Sequence, residues 1–332
     1  MKNLRNKILD YQQPVIFYEL LPPTNNETSN ADTYTECAID LITSTPIMID
    51  AVNIPDIHEE DHNLKKRTKI CMPKMDIREF AKLLEKASYN HLDVILNHCT
   101  VYEPWKNQKI WIESTTKDHE ICSLILVGGS SSQIHYPGPS VLEMGDYLQT
   151  NYKEELICGG ITIPTRRFHD QEYDEPFRMY TKSLHGIQFF TTQIIYEPIS
   201  IKLLLRDYAQ VCQEKNTEPQ RIFLSFAPIS TPKDLEFLLW LGVAIPNTVQ
   251  KDLFKANIGI GWRSTKIAVN ILQEILNFMI EEQIKVPLGL NIEHITQHNF
   301  ELSFQFIERL GKLYMNYMGQ SSKKMYGSVN RN

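Results

Sequence analysis

The sequence predicts an α/β protein whose single domain is a (β/α)8 TIM barrel. Eight short β-rich segments recur along the 332 residues, and stretches with helical periodicity separate them. Most of the strand-like segments are almost continuously apolar, as expected where both faces of a parallel sheet are covered. Neither a low-complexity linker nor a break in composition divides the chain. We therefore expect one barrel domain over residues 1–319 and a polar C-terminal tail over residues 320–332.

The predicted elements alternate in the order that a barrel requires. Strands are expected near residues 15–21, 47–54, 93–99, 123–128, 156–163, 187–195, 221–227 and 286–292. Helices between them are expected over residues 76–87, 199–214 and 262–283, among others. In the first of these helices Phe80, Leu83 and Leu84 fall on one face. No Gly-x-Gly-x-x-Gly follows the first strand, which argues against a doubly wound dinucleotide-binding sheet.

Composition and charge argue against several classes of protein. The chain is 42% hydrophobic and carries a net charge of −6, and its lysines and arginines form no long run, which argues against a nucleic-acid-binding surface. No apolar window reaches membrane-spanning length. The six cysteines lack the spacing of a zinc site or a disulfide framework. We expect a soluble, cytoplasmic protein without a metal, a nucleic-acid partner or a membrane anchor; the sequence carries no signal for its oligomeric state.

Glu19 is the most informative residue because it lies inside the apolar segment Val15–Pro23, which ends in two prolines. Burying an ionised carboxylate without a partner is unfavourable and raises its pKa. A carboxyl group in apolar surroundings is therefore a candidate proton donor near neutral pH. The alternative is a glutamate on an edge strand that faces solvent or pairs with a distant lysine or arginine.

Polar residues recur at the ends of the other predicted strands, where barrel enzymes have their active sites. In chain order they are Asn53, Asp56, Asn97, His98, Gly128–Ser132, Thr192, Gln193, Asn291, Glu293 and His294. Each has a purely structural alternative: His98 as a core histidine, Gln193 as a strand cap, the glycine-serine segment as an ordinary turn. Their repeated placement at strand ends indicates an enzyme.

The types of residue at these positions bear on the reaction. The chain has no nucleophile elbow, P-loop or metal-ligand helix. One carboxylate among amide side chains suits the binding and protonation of a heterocycle. Redox chemistry would need a hydride from a cofactor, because no side chain supplies one.

Three segments resemble motifs of the methylenetetrahydrofolate reductase family, whose fold is a (β/α)8 barrel. Phe17–Pro23 resembles the first-strand motif in which the glutamate is the proton donor. Phe189–Tyr196 resembles the sixth-strand motif in which the glutamine contacts the folate pterin. Asn97–Thr100 resembles the third-strand segment whose histidine lies against the flavin. The resemblance extends over residues 14–310, roughly the whole predicted barrel.

The resemblance implies a role for each candidate residue. Glu19 would be the general acid, and Gln193 would bind the pterin. Further substrate contacts would come from Asn53, Asn291 and Glu293. Contacts to a cofactor would come from His98, Gly129, Ser130, Lys182 and Arg166. A separate assignment, which rests only on charge and on the position after strand 5 and not on the resemblance, is that Arg166 or its neighbour Arg167 would grip a cofactor phosphate or the glutamate tail of the substrate.

The chain departs from the family at positions that bind flavin. The family has Arg-Gly-Asp after strand 4, where this chain has Gly128–Ser130. Its Tyr-Pro-Glu-x-His after strand 5 is replaced here by Ile163–Arg167. The folate-facing Glu19 and Gln193 remain. The sequence therefore fits a flavin-independent branch of the family better than the FAD-dependent branch. In the flavin-independent branch NAD(P)H passes its hydride directly to folate. FAD remains the alternative cofactor.

The expected function is reduction of 5,10-methylenetetrahydrofolate to 5-methyltetrahydrofolate in one-carbon and methionine metabolism. One alternative is a folate-binding barrel without catalysis, which the loss of the charged strand-4 turn favours and the retention of Glu19 opposes. Another is a methyltransferase-type barrel that acts on a folate or corrinoid substrate.

Overall fold

Eight parallel strands close into a barrel in chain order, so that the first strand pairs with the last. The computed structural model describes residues 2–24, 30–57, 74–89, 91–129, 134–166, 174–256 and 258–326. The predicted TIM barrel is confirmed. Seven strands lie within the segments that the sequence predicts, and the eighth extends one residue beyond its predicted segment, to Glu293. The strands are β1 (Ile16–Glu19), β2 (Ala51–Ile54), β3 (Asp93–Cys99), β4 (Ser123–Val127), β5 (Ile157–Thr162), β6 (Phe189–Thr192), β7 (Arg221–Phe226) and β8 (Leu288–Glu293).

Helices surround the barrel, and one of them, α1, precedes its first strand. They are α1 (Lys2–Leu9), α2 (Ala31–Ser44), α3 (Ile77–Ala87), α4 (Trp105–Lys117), α5 (Val141–Asn151), α6 (Glu175–Leu184), α7 (Pro198–Glu214), α8 (Pro232–Trp240), α9 (Asn247–Leu253), α10 (Ile260–Glu281) and α11 (Phe300–Tyr326). The three helices predicted by residue range correspond to α3, α7 and α10. Helix α11 continues past residue 319, where the sequence predicts a tail; the domain limits stay a prediction.

Aromatic rings fill the lower half of the barrel interior. Phe17 and Phe223 stack with their ring centroids 3.9 Å apart, and the ring plane of Phe189 is steeply inclined to both, at 73° and 77°. Two glycines make room for these rings, since a Cβ at Gly159 or Gly289 would lie 2.4 Å from a phenylalanine carbon. The interior is therefore packed rather than open below the level of these rings.

The amino-terminal end of the barrel is closed by α1 and the segment that follows it. Arg221, at the start of β7, is fully buried beneath this segment. Its guanidinium donates hydrogen bonds to the carbonyl oxygens of Ile8, Gln13, Leu288 and Asp10 at 2.6–3.0 Å. A single side chain thereby joins the N-terminal segment to β7 and β8.

The outward faces of the strands pack against the helices in one large apolar cluster, which contains residues from all eight strands. Among the residues covered by the structure, no helix combines the length and the apolar character needed to cross a membrane. Within the same residues, no group of three histidines, cysteines or carboxylates is arranged to hold a metal ion.

Candidate active site

Three neighbouring strands bring polar side chains to the same level at the carboxyl-terminal end of the barrel. Glu19 on β1 is in register with Asn53 on β2 and with Glu293 on β8. Side chains two residues apart on a strand share a face, and Phe17, two residues before Glu19, lies in the packed interior. Glu19 therefore points into the barrel, above the aromatic layer.

The same two-residue spacing places polar residues of other strands inside the barrel. Residues of the packed interior lie two positions before three of these polar residues: Ala51 before Asn53 on β2, Ile95 before Asn97 on β3, and Phe223 before Ser225 on β7. Six polar residues lie on the inward faces of the strands, level with the aromatic rings or above them: Glu19, Asn53, Asn97, Ser225, Asn291 and Glu293. We call these six residues the polar layer.

Two carboxyl groups of the polar layer influence each other. Burial raises the pKa of Glu19 well above its ordinary value, and the negative charge of Glu293 raises it further. Burial raises the pKa of Glu293 to about 7, although hydrogen bonds from Ser225 and Asn291 oppose this change. Both side chains keep part of their surface accessible at the mouth. Both changes favour the protonated form of the pair, which lies where a ligand can reach it.

Amide groups connect the two carboxyls to the neighbouring strands. The Asn53 Nδ2 atom donates to Glu19 Oε2 over a long 3.4 Å. The Asn291 Nδ2 atom donates to Glu293 Oε1 at 3.2 Å and to Ser225 Oγ at 3.0 Å. Because each Nδ2 faces a carboxyl oxygen, the orientation of both amides follows from the hydrogen-bond network.

Three amide oxygens of the polar layer have no hydrogen-bond partner among the described residues. The Oδ1 atoms of Asn53, Asn97 and Asn291 are buried and accept no hydrogen bond from any residue in the described ranges. Asn53 and Asn291 are each only 1% exposed. A buried polar atom without a partner is costly, so three such acceptors in one layer suit a ligand or ordered water that supplies N–H or O–H donors.

Gln193 lies just after β6 and does not hydrogen-bond to the two carboxyls in the structure. Its Nε2 atom donates to the Leu241 carbonyl at 3.4 Å, and its Oε1 atom accepts from the backbone N–H of Ile194 at 3.0 Å. The residue lines a hollow together with Pro164 and Ala244. Its role in pterin binding stays a prediction.

His98 faces the helix layer. Its ring stacks on Trp111 of α4 with centroids 3.7 Å apart, and its Nε2 atom shares a 2.6 Å hydrogen bond with Gln108. The Nδ1 atom lies 3.9 Å from an Asp56 carboxylate oxygen. Outward-pointing Leu96, two residues earlier, belongs to the cluster between strands and helices. These contacts are those of a core histidine, which is the structural alternative given above for His98. Its contact with a cofactor stays a prediction.

The two cations proposed to bind a cofactor have partners within the protein. Lys182 is buried and donates from Nζ to the Ile161 carbonyl at 2.6 Å, and burial lowers its pKa to about 8. Arg166 pairs with the fully buried carboxylate of Glu175 at 3.3 Å. Both cations stabilise the segment around β5 and the start of α6.

The loop after β4 is covered by an aromatic ring. A Cβ at Gly129 would lie 2.2 Å from the ring of Tyr136, so only glycine allows the ring to approach so closely. The proposed cofactor contact at Ser130 lies outside the described residues, as does Arg167.

The structure adds two features to the site that the sequence analysis does not contain. Ser225 was not among the candidates, although a serine within the apolar run Leu224–Phe226 is the same kind of signal that identified Glu19. The pairing of Glu19 with Glu293 depends on the contact between the first and last strands, which no local pattern encodes.

Comparison with solved structures shows a similar fold. A protein from Clostridium thermocellum superposes with a TM-score of 0.75 at 22% sequence identity, over 93% of this chain and 99% of that one; it binds two copies of 5-methyl-5,6,7,8-tetrahydrofolic acid. More distant barrels include 2,3-dimethylmalate lyase (TM-score 0.49, 9% identity, 99% of this chain and 97% of that one). Oxaloacetate acetylhydrolase is as distant (TM-score 0.49, 8% identity, 99% and 98%). At these identities the likeness shows the fold alone.

No protein-family model matches the chain. No curated protein matches it either.

Proposed function

We propose that this barrel binds a reduced folate at its mouth and reduces 5,10-methylenetetrahydrofolate to 5-methyltetrahydrofolate with a hydride from NAD(P)H. The observation that carries the proposal is the partly accessible Glu19, whose raised pKa keeps a proton available inside an apolar barrel. Methylenetetrahydrofolate requires such a proton to open its five-membered ring.

The free amide oxygens support a pterin as the ligand. A tetrahydropterin presents several N–H groups along its ring edges, and the Oδ1 atoms of Asn53, Asn97 and Asn291 are acceptors without a donor among the residues that the structure covers. The binding of a 5-methyltetrahydrofolate by the similar barrel from Clostridium thermocellum agrees with this choice. We assign Gln193 to the rim of the folate site, where a change of its side-chain rotamer would turn the amide toward the pterin.

The reaction needs one proton and one hydride. Glu19 would protonate the N10 nitrogen, the N10–methylene bond would break, and the methylene group would remain on N5 as an iminium cation. A bound nicotinamide would supply the hydride that converts this carbon to the methyl group. Glu19 would regain its proton from solvent at the barrel mouth, where part of its surface is accessible.

Direct transfer from the nicotinamide agrees better with the site than transfer through a flavin. Of the residues implied for flavin, His98 stacks on Trp111 in the helix layer and Lys182 is buried against the Ile161 carbonyl. The turn at Gly129 is covered by Tyr136. These side chains fit a flavin poorly, so we derive no step through one.

A folate binder without catalysis is the second candidate. The binding of two folate copies by the similar Clostridium thermocellum protein favours it, because the known property of that barrel is binding. The pair of neighbouring carboxyls opposes it, because a binder gains nothing from two carboxyls that repel each other.

An absorbance experiment separates the candidates. The purified protein should lack flavin bands and should oxidise NADH or NADPH only after methylenetetrahydrofolate is added. Flavin bands in active protein would restore the FAD route. Tight binding of 5-methyltetrahydrofolate without nicotinamide oxidation would favour the binder. An absence of both activities would refute the proposal.

A further inference from the structure

The two carboxyls of the polar layer differ in the hydrogen bonds that they receive. Glu293 accepts from Asn291 Nδ2 at 3.2 Å, the same Nδ2 atom is held by Ser225 Oγ at 3.0 Å, and the nearby Ser225 hydroxyl favours the ionised form of Glu293. Glu19 accepts only a 3.4 Å bond from Asn53 among the side chains in the described part of the chain. Hydrogen bonds to a carboxylate favour its ionised form, so the better-supported group should carry the charge.

The donors to Glu293 are themselves held in place. Ser225 is fully buried, its Oγ accepts from Asn291 Nδ2 at 3.0 Å, and its backbone N–H donates to the Thr192 hydroxyl at 2.9 Å. Asn291 is in register with Ser225 on the adjacent strand. Two neighbouring strands thus fix both donors without any contribution from a mobile loop.

We propose that Ser225 and Asn291 are positioning residues that hold the single negative charge of the pair on Glu293 and thereby keep the proton on Glu19. Two carboxylates at one level of a narrow barrel do not both ionise readily, so a charge on one retains the proton on the other. Removal of the Ser225 hydroxyl would reduce the difference between them.

The assignment gives Glu293 a role in the chemistry, and this part rests on the proposed reductase function. When Glu19 gives up its proton, the substrate becomes an iminium cation beside the polar layer. A fixed carboxylate at Glu293 would stabilise that positive charge through space. Glu19 and Glu293 would then act in sequence, the first as acid and the second as counter-charge.

Carboxyl titration by NMR tests the proton assignment without any ligand. The side-chain carboxyl carbons of glutamate are labelled with ¹³C, and the two resonances are assigned with Glu19→Gln and Glu293→Gln. In the wild type Glu293 should ionise first on raising the pH, and Glu19 should ionise later. The opposite order would overturn the proposal.

Variants of Ser225 provide the second arm. Ser225→Ala should raise the midpoint of Glu293 by about one pH unit, whereas Ser225→Thr, which keeps a hydroxyl, should leave it near the wild-type value. Circular dichroism identifies any variant that fails to fold, and the wild-type order alone still decides the proposal. If the Glu293 midpoint in the folded Ser225→Ala variant equals the wild-type midpoint, Ser225 does not have this role.

Kinetics separate this inference from the proposed function. If the protein is a reductase, Glu293→Gln should lower kcat roughly 100-fold with a smaller change in KM, because it removes a charge that matters in the transition state. Unchanged kcat would refute the counter-charge role. An ordered titration in a protein without reductase activity would support the proton assignment and refute only the reductase.

Discussion

The two ends of the barrel differ in how fully their buried polar groups are hydrogen-bonded. At the amino-terminal end Arg221 distributes its N–H groups among the carbonyl oxygens of the N-terminal segment and β8. At the carboxyl-terminal end three amide oxygens accept nothing from the described side chains, and two carboxyls share one layer. Satisfied groups favour stability, whereas unsatisfied groups cost stability and remain available to a ligand. The comparison agrees with our proposal of a ligand site at the carboxyl-terminal end and with a structural role for the amino-terminal end.

The largest effect should follow removal of the acid at the functional end. Glu19→Gln keeps the shape of the side chain but cannot donate the proton, so turnover of methylenetetrahydrofolate should fall about 1000-fold. Folate affinity, measured by calorimetry, should change little. Glu218→Gln, an exposed glutamate in the segment before β7, is the matched control. Near-normal turnover in Glu19→Gln would exclude it as the acid.

The stability end should respond to loss of Arg221. Arg221→Met fills similar volume but leaves the carbonyls of Ile8 and Gln13 without their donor and Asp10 with only the backbone N–H of Gln13, so the free energy of unfolding should fall by about 3 kcal/mol. Urea denaturation measures this change. Folate affinity at a temperature where the variant is folded should match the wild type; a large loss would mean that the two ends are coupled.

A smaller effect is expected at a single free acceptor. Asn97→Leu removes an amide oxygen that faces the barrel interior, and the affinity for tetrahydrofolate should fall about tenfold. Asn97→Asp keeps an acceptor and should lose less. Folic acid lacks the N5–H and N8–H donors of tetrahydrofolate, so its affinity should be lower in the wild type and similar in both proteins. An equal loss of affinity for tetrahydrofolate and for folic acid would indicate that the substitution changes only the shape of the site.

The smallest effect should be a dependence of stability on pH. A raised carboxyl pKa favours the protonated folded form, so stability should fall as the pH rises from the ordinary glutamate value near 4.5 to about 7, through the titration of Glu293. Glu293→Gln should flatten this part of the curve and raise Tm at pH 8. A thermal scan across this window checks both, and an unchanged slope in the variant would show that Glu293 does not cause it.

Much of the fold could be predicted from local patterns. The eight strands were predicted because each is an apolar run, and Glu19 was found because it interrupts one. Helix α11 continues into the segment predicted as a tail, because residues 320–326 contain neither proline nor glycine to end it.

The remaining parts of the site depend on tertiary structure. The register that sets Glu293 beside Glu19, and the one that sets Ser225 beside Asn291, arise from strand pairing. The environment of His98 likewise depends on Trp111, which approaches only when α4 packs on the barrel.

The contact between β1 and β8 has a consequence for the synthesis of the protein. Glu19 is made among the first residues and Glu293 among the last, and only the final strand brings them together. In a nascent chain that does not yet include β8, Glu293 is not present to raise the pKa of Glu19. The raised pKa of Glu19 therefore depends on completion of the ring of strands, and so does the chemistry that we propose for this residue.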